Sequence, residues 1–391
     1  MRGLFLSLPP FSPDYSGVGS TFIEMNALIV VHDGKGCAGN FLGYDEPRGA
    51  RSGNMVYTSN LREMEVVMGD DDALVEKVRR AAADLDPRMI VLLNSPAPLV
   101  IGTDFRALAR IIEKQTGKPT LWFDTNGIRM YHWGVEKAML EAVKRFSAEY
   151  AEGRERGGIA VLGAVPEDIG MPENAIRLKE SLERACGRET TVIGLCGDET
   201  GLGAAACSAL NVVASAAAIP AAEWCCQTFG TPWIADFPVG ECGEKRLAER
   251  IAATLEGRTL PEMPAAESKV GRRALVIHEQ IMANAFRACL KEEFGYAEVD
   301  VATFFAFRED LAERGDFTLT EELELAEKVT AGHYDTVFCD HLMHNMLKDS
   351  GAELIDLPHL AVSSNLCYPA GFCPVSKAAS AYLEEKLHGR Q

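Results

Sequence analysis

Several features are scarce or missing in this 391-residue chain, and each absence removes a class of function. No stretch reaches the ~18 or more apolar residues a membrane-spanning helix needs. Positive charge is in short supply: 39 Lys and Arg stand against 57 Asp and Glu, a formal net charge of −18. Such a surface repels phosphate backbones and anionic lipid, so neither nucleic acid nor a membrane is an expected partner, whereas a basic protein would be steered toward it. A phosphate loop of the form G-x-x-x-x-G-K-[ST] is also missing. In Gly34-Lys35-Gly36 the lysine precedes the second glycine and no hydroxyl follows, so nucleotide hydrolysis is not expected in this chain. The opening MRGLFLSLPPFSPDYSG has a short apolar stretch but no small-residue cleavage site, and reads as mature protein. Without an export signal, the eleven cysteines point to a reducing cytoplasm and free thiols.

What is present is ordinary for a globular protein: 47% of residues are hydrophobic and 25% charged, over a length that suits two to three domains. Short β-rich runs are expected as strands at 27–32, 55–58, 89–93, 120–123, 159–163, 191–195, 211–214, 233–236, 274–277, 298–302, 336–339 and 353–355. Between them, apolar residues three and four apart predict amphipathic helices at 72–85, 104–115, 135–149, 174–185, 245–256 and 280–294. Strand–helix alternation of this kind implies parallel, doubly wound sheets. Two composition breaks, polar and Gly-rich at 151–158 and Pro-containing at 257–271, divide the chain. The expected α/β architecture is three consecutive Rossmann-like units near 1–150, 157–257 and 270–375, with a last helix within 376–391 free to return onto the first unit.

Ligands of open α/β sheets bind beyond the carboxyl ends of the strands. The first strand runs directly into Gly34-Lys35-Gly36-Cys37-Ala38-Gly39-Asn40, where glycines flanking a cysteine let a bulky ligand approach the backbone. The alternative is a tight turn around a buried thiol. Gly201-Leu202-Gly203-Ala204-Ala205-Ala206 fits a dinucleotide fingerprint in form, but no acidic residue stands about 20 positions on at a strand end, and helix packing accounts for it better. In Cys339-Asp340-His341-x-x-His344 the favoured role of Asp340 is a helix cap, with a metal site as the alternative. Cys225 and Cys226 point in different directions from a helix and read as core. Cys367 and Cys373 flank a Pro/Gly loop that matches no metal signature, and Cys186, Cys196, Cys207, Cys242 and Cys289 read as structural.

A string of phrases in the first unit resembles component 1 of nitrogenase and its relatives, including the dark-operative protochlorophyllide reductases. They are Val31-His32-Asp33-Gly34-Lys35-Gly36-Cys37, Thr58-Ser59-Asn60-Leu61 with Glu63, Val66, Val67 and Gly69, Leu99-Val100-Ile101-Gly102-Thr103-Asp104, and Phe123-Asp124-Thr125-Asn126-Gly127-Ile128. Phe229-Gly230-Thr231-Pro232-Trp233 extends the resemblance into the second unit. The resemblance implies that Cys37, with Gly34 and Gly36 beside it, ligates a 4Fe–4S cluster at an interface between related subunits. It also implies electrons delivered by a separate P-loop ATPase with its own iron–sulfur cluster.

The departures matter as much. The other family cysteine positions fall near Asp14 and at Asn94-Ser95-Pro96, without thiols, and a cubane wants four ligands. Either a homologous subunit supplies three cysteines, or a homodimer supplies Cys37 twice with Asp14 or other groups completing the set, or no cluster binds. Ser215 stands where the resemblance looks for a cofactor cysteine, and His359 alone does not hold a metal cofactor. No iron–molybdenum cofactor is therefore expected, and the implied substrate is organic, tetrapyrrole-like or other, with Asp33 and His359 as candidate proton donors. The rival readings are a non-catalytic scaffold for a metal cluster or tetrapyrrole, and a periplasmic-type binding protein.

Overall fold

The computed structural model describes residues 7–49, 53–69, 71–258 and 270–388, with only the backbone of Cys37, Val270 and His388. All twelve expected strands form, and they fall into three sheets that are parallel throughout. The first contains β1 (Ala27–Val31), β2 (Val56–Thr58), β3 (Met89–Leu93) and β4 (Thr120–Phe123) in the order β2-β1-β3-β4. The second contains β5 (Ile159–Ala164), β6 (Thr190–Gly194), β7 (Leu210–Val213) and β8 (Trp233–Ala235) in the order β6-β5-β7-β8. The third has β9 (Val270–Ile277), β10 (Tyr296–Thr303), β11 (Phe317–Thr318), β12 (Thr336–Cys339) and β13 (Glu353–Asp356) in the order β11-β10-β9-β12-β13. The thirteenth strand, β11, has two residues and adds to the edge at β10; it is too short to leave a pattern in the sequence.

Each sheet repeats one winding. The first strand lies inside, the second pairs on one side of it, and the next on the other, so the order reverses beside β1, β5 and β9. That reversal opens a crevice beyond the carboxyl ends, the usual ligand position in open α/β sheets. The inner strands read as continuous apolar runs because both faces are covered: β1, β3, β5 and β7 are buried at every residue.

Helix Tyr131–Ala151 ties the first unit to the second. It crosses helix Asp14–Phe22 so closely that a Cβ on Gly134 would sit 1.9 Å from the Asp14 carbonyl oxygen, and one on Gly17 2.1 Å from that of Tyr131. At its other end Gly203 lies as tightly against Tyr150, so the glycines at 201–203 serve helix packing, as the sequence suggests. One contiguous apolar core runs from Val18 in the first unit through Ile159 and Val213 to Leu290 and Leu383.

Two expectations need correction. The last helix, Lys377–His388, seats on the second and third units and not on the first: Ser380 Oγ bonds Glu293 at 2.6 Å, and the Tyr382 hydroxyl donates to the Asp356 carbonyl at 2.8 Å. The expected linker at 257–271 lies largely outside the described residues, but β9 already begins at Val270. Among the described residues no helix is long and apolar enough to cross a membrane.

Candidate functional site

Chemistry-bearing residues gather at two places at the carboxyl ends of strands. The first is the loop after β1. Asp33 closes it: its carboxylate accepts the Gly34 N–H at 2.6 Å and its carbonyl accepts the Leu61 N–H at 2.8 Å. Cys37 opens the short helix Cys37–Asn40. Among the described residues, a Cβ added at Gly34, Gly36 or Gly39 would meet nothing within 4 Å, so their packing does not demand these glycines. They leave the loop open on its outer side.

The neighbouring strand ends surround this loop with exposed apolar side chains. Met64, Val67 and Met68 follow β2 on helix Glu63–Met68, Leu99, Val100 and Ile101 follow β3 on helix Pro96–Ile101, and Ile128 follows β4. These are seven of the fifteen large hydrophobic side chains exposed among the described residues, and Val67, Val100 and Ile128 are 77, 88 and 84% exposed. Scattered single exposures need no explanation, but apolar residues collected at one sheet edge mark an interaction surface.

The two positions where the resemblance looks for further thiols do converge beside this edge: Tyr15 and Pro96 both lie within 4 Å of a Cβ built on Gly127. Neither position has a thiol, and Cys37 is the only cysteine before residue 186. Asp14 is engaged elsewhere. It is buried, and its carboxylate accepts the N–H groups of Tyr15, Asn126 and Gly127 at 2.8 to 2.9 Å, so it fastens the turn after β4 to helix Asp14–Phe22. Two of these bonds occupy Oδ1 and one Oδ2, so most of the carboxylate's acceptor capacity is already used. A four-iron cluster is thus compatible with Cys37 only as a site shared with another chain, since one thiol falls short of four ligands.

The second place is internal, where the strand ends of the second and third units meet the start of helix Tyr131–Ala151. Asp168 follows β5, Ser215 follows β7, His278 and Glu279 follow β9, and His359 follows β13. The Tyr131 hydroxyl donates a short hydrogen bond to Asp168 Oδ1, and His359 Nε2 lies 3.6 Å from the same oxygen. The rings of His278 and His359 stack with centroids 3.8 Å apart, and Phe305 covers His359 edge-on at 5.0 Å. Glu279 caps two helices at once, accepting the N–H groups of Ala216 at 2.8 Å and Met282 at 2.9 Å. All five titratable residues, Tyr131, Asp168, His278, Glu279 and His359, are buried.

Burial decides their protonation. It pushes Asp168 up to about 7 against the Tyr131 and Ser215 hydroxyls, which pull the other way. It raises Glu279 to about 8, helped by the charge of Asp168 and opposed by the backbone amides at its cap. It lowers His359 to about 3 and His278 well below the usual imidazole range. His359 Nε2 and His278 Nδ1 meet no hydrogen-bond partner among the described residues. At neutral pH the cluster therefore consists of two uncharged imidazoles beside two carboxyl groups whose proton affinities burial has raised toward neutrality, a combination suited to proton transfer.

The candidates from the sequence thus separate. Asp33, Gly34, Gly36 and Cys37 share the outer loop, while His359 belongs to the interior and is held neutral. Asp340 is a cap, accepting the N–H groups of Leu342 and His359 at 3.0 Å each. Sequence reasoning missed Asp168, Glu279, His278 and Tyr131. A signal existed: Glu167-Asp168 and His278-Glu279 each follow the inner strand of a unit within a few residues, the same position in the winding as Cys37.

A family model for nitrogenase component 1 type oxidoreductases matches residues 15–282. Among solved structures the chain is similar to nitrogenase Cp1 at pH 6.5, with a TM-score of 0.72 and 14% identity over 100% of this chain and 94% of that one. It is similar also to nitrogenase Cp1 at pH 5, with a TM-score of 0.70 and 15% identity over 100% and 90%. No curated protein matches the sequence. At such identities the structural likeness speaks for the fold, three parallel sheets wound as described, while the family model covers well over half of the chain. The chain belongs to the nitrogenase component 1 type oxidoreductase family.

Proposed function

We propose that the chain is the substrate-reducing subunit of a nitrogenase-like reductase, with Cys37 as its ligand to a 4Fe–4S cluster shared across a subunit interface. What supports this most is the setting of Cys37: a glycine-lined loop, open outward, at a sheet edge ringed by seven exposed apolar side chains. A cluster there needs ligands from outside the chain, and an apolar edge is the surface a second subunit would cover. The partner is either a homologous subunit carrying three cysteines or a second copy of this chain. With no P-loop of its own, the chain would depend on an ATP-hydrolysing iron–sulfur protein for electrons, a cytoplasmic arrangement.

When bound, such a cluster supplies single electrons at low potential. The chain's own contribution is protons. Burial raises Asp168 to about 7 and Glu279 to about 8, so at neutral pH Asp168 is partly and Glu279 mostly protonated, and the Tyr131 hydroxyl bonds one oxygen of Asp168, Oδ1. His359, neutral and with Nε2 uncommitted, stands beside Asp168 as a relay. The implied substrate is organic, tetrapyrrole-like or other, and not dinitrogen: Ser215 caps the turn at 216–218 where a cofactor cysteine would be wanted.

Iron and sulfide analysis with EPR on anaerobically purified protein, beside Cys37→Ser, tests the reading. A reducible 4Fe–4S signal that disappears in the variant is expected. If it is present in the chain alone the partner is a second copy, and if it appears only in a complex the partner is a homologue. Iron-free protein in every preparation would overturn the redox role and leave a binding or scaffold module.

A further inference from the structure

A second cluster of ligating groups, away from the redox edge, joins the second and third units. Cys242 lies in the first turn of helix Gly240–Leu255. Cys289 lies on helix Gln280–Glu292, with Glu293 four residues later at its end, so these two share a helix face. The two sulfurs and a carboxylate oxygen of Glu293 all lie within 4.8 Å of one another. Cys289 is buried, Cys242 half-buried and Glu293 exposed, so the group is walled on one side and reachable on the other.

The surroundings orient it. Glu293 Oε1 accepts the Cys242 N–H at 2.7 Å, and Oε2 accepts the Ser380 hydroxyl at 2.6 Å. The Cys242 and Cys289 thiols also hydrogen-bond this carboxylate, so a cation that displaces their two protons finds the three ligand groups already turned toward one another. Gly240 has φ +76°, and a Cβ there would fall 2.6 Å from Cys289 Sγ and 2.7 Å from Glu293 Oε1, so any side chain would fill the space between the ligands. Arg246, paired with Asp236 and Glu292 at 3.5 and 3.4 Å, provides a counter-charge for an anionic ligand set. A cleft of about 760 Å³, lined by Cys242, Arg246, Glu293 and Ser380 among others, admits solvent.

We infer that Cys242, Cys289 and Glu293 form a binding site for a thiophilic divalent cation, zinc as the type case, with the fourth position left to solvent. Two sulfurs and one carboxylate oxygen are ligands zinc accepts in four-coordinate sites, and the soft pair disfavours magnesium and calcium. Binding turns both thiols into thiolates and releases two protons per ion, with no change of oxidation state. Because Cys242 belongs to the second unit and the other two ligands to the third, a bound ion clamps the units together, and the folded state gains by mass action.

The test uses the full-length protein, reduced and stripped with chelator, then titrated with Zn²⁺ against a chromophoric competitor and with Co²⁺ for its thiolate charge-transfer band. Wild type is expected to take up one equivalent that Cys242→Ser and Cys289→Ser lack, with loss of the cobalt band and of the zinc-induced rise in melting temperature. Uptake by the nine other cysteines is common to all three proteins and cancels. Ser380→Ala, which frees one carboxylate oxygen from its orienting bond, is expected to bind ~10–100-fold more weakly. Equal zinc in wild type and both serine variants, no zinc in stripped wild type, or a cobalt complex without the thiolate band would each overturn the site. If Cys289→Ser fails to fold, Glu293→Gln decides, because that position is exposed: an unchanged zinc affinity overturns the proposal.

Discussion

After β1 and after β5, at the same point of the same winding, the protein has made opposite environments. The β1 loop is glycine-lined, open outward and flanked by exposed valine, methionine and isoleucine. The β5 loop ends in Asp168, enclosed by Tyr131, His359 and Ser215 with almost no solvent contact. A shared backbone plan therefore sets where chemistry can occur but not which kind. Covering decides that: Asp168, Ser215, Glu279 and His359, just past strands of the second and third sheets, are buried, while Val67, Val100 and Ile128, a few residues past strands of the first, are exposed.

If this contrast has functional meaning, substitutions at the two ends should fail differently. Cys37→Ser should give the largest effect, complete loss of a reducible cluster and of turnover with the melting temperature retained; iron analysis and thermal melting check it. Asp168→Asn should keep the iron signal yet slow turnover by ~100-fold or more, the scale of a general acid's contribution, measured by single-turnover kinetics with a reducing partner. Iron loss in Asp168→Asn would collapse the distinction. Gly134→Ala tests the helix crossing that joins the two regions: with its Cβ driven into the Asp14 carbonyl, destabilisation of about 1–3 kcal/mol or more is expected in denaturant melts.

Val67→Asp with Val100→Asp should dissociate the assembly in analytical ultracentrifugation, while the isolated chain changes stability by only about 0.5 kcal/mol, as is usual at exposed sites. The contrast extends to the pH dependence of stability. Asp168 binds its proton up to about 7 in the folded chain against 3.8 as its ordinary value, so the folded state carries the extra proton between those limits and stability falls as pH rises through them. His359 acts oppositely: its affinity drops from 6.5 to about 3 on folding, so stability is lost as pH falls through that window. Between pH 4.5 and 7, melting temperatures should therefore fall more steeply, or rise less, with increasing pH in wild type than in Asp168→Asn.

Much of this was readable in advance because it depends on short-range pattern. Runs such as Met89–Leu93 and Ile159–Ala164 are apolar at nearly every position because both sheet faces are covered, and that density marks strands without any knowledge of neighbours. Cys37 stood out because its flanking glycines are local. The docking of Lys377–His388 was misjudged because an amphipathic face shows that a helix packs, not on what; Ser380 and Tyr382 found partners in Glu293 and Asp356. The bonds of Asp14 to amides at Asn126 and Gly127 were not legible, because a carboxylate's sequence neighbours do not reveal partners more than a hundred residues away.

The sequence alone determined three strand–helix repeats, the open glycine loop at Cys37 and the family's motif order, since each is written in residues close together along the chain. Only the tertiary structure decided that Tyr131, Asp168, Glu279 and His359, spread over more than two hundred residues, are buried together in the core, or that Cys242 meets Cys289 and Glu293. The physical reason is that proton affinity and ligand geometry depend on what surrounds a group in space, and burial, the largest influence on Asp168, Glu279 and His359, exists only once the units have packed.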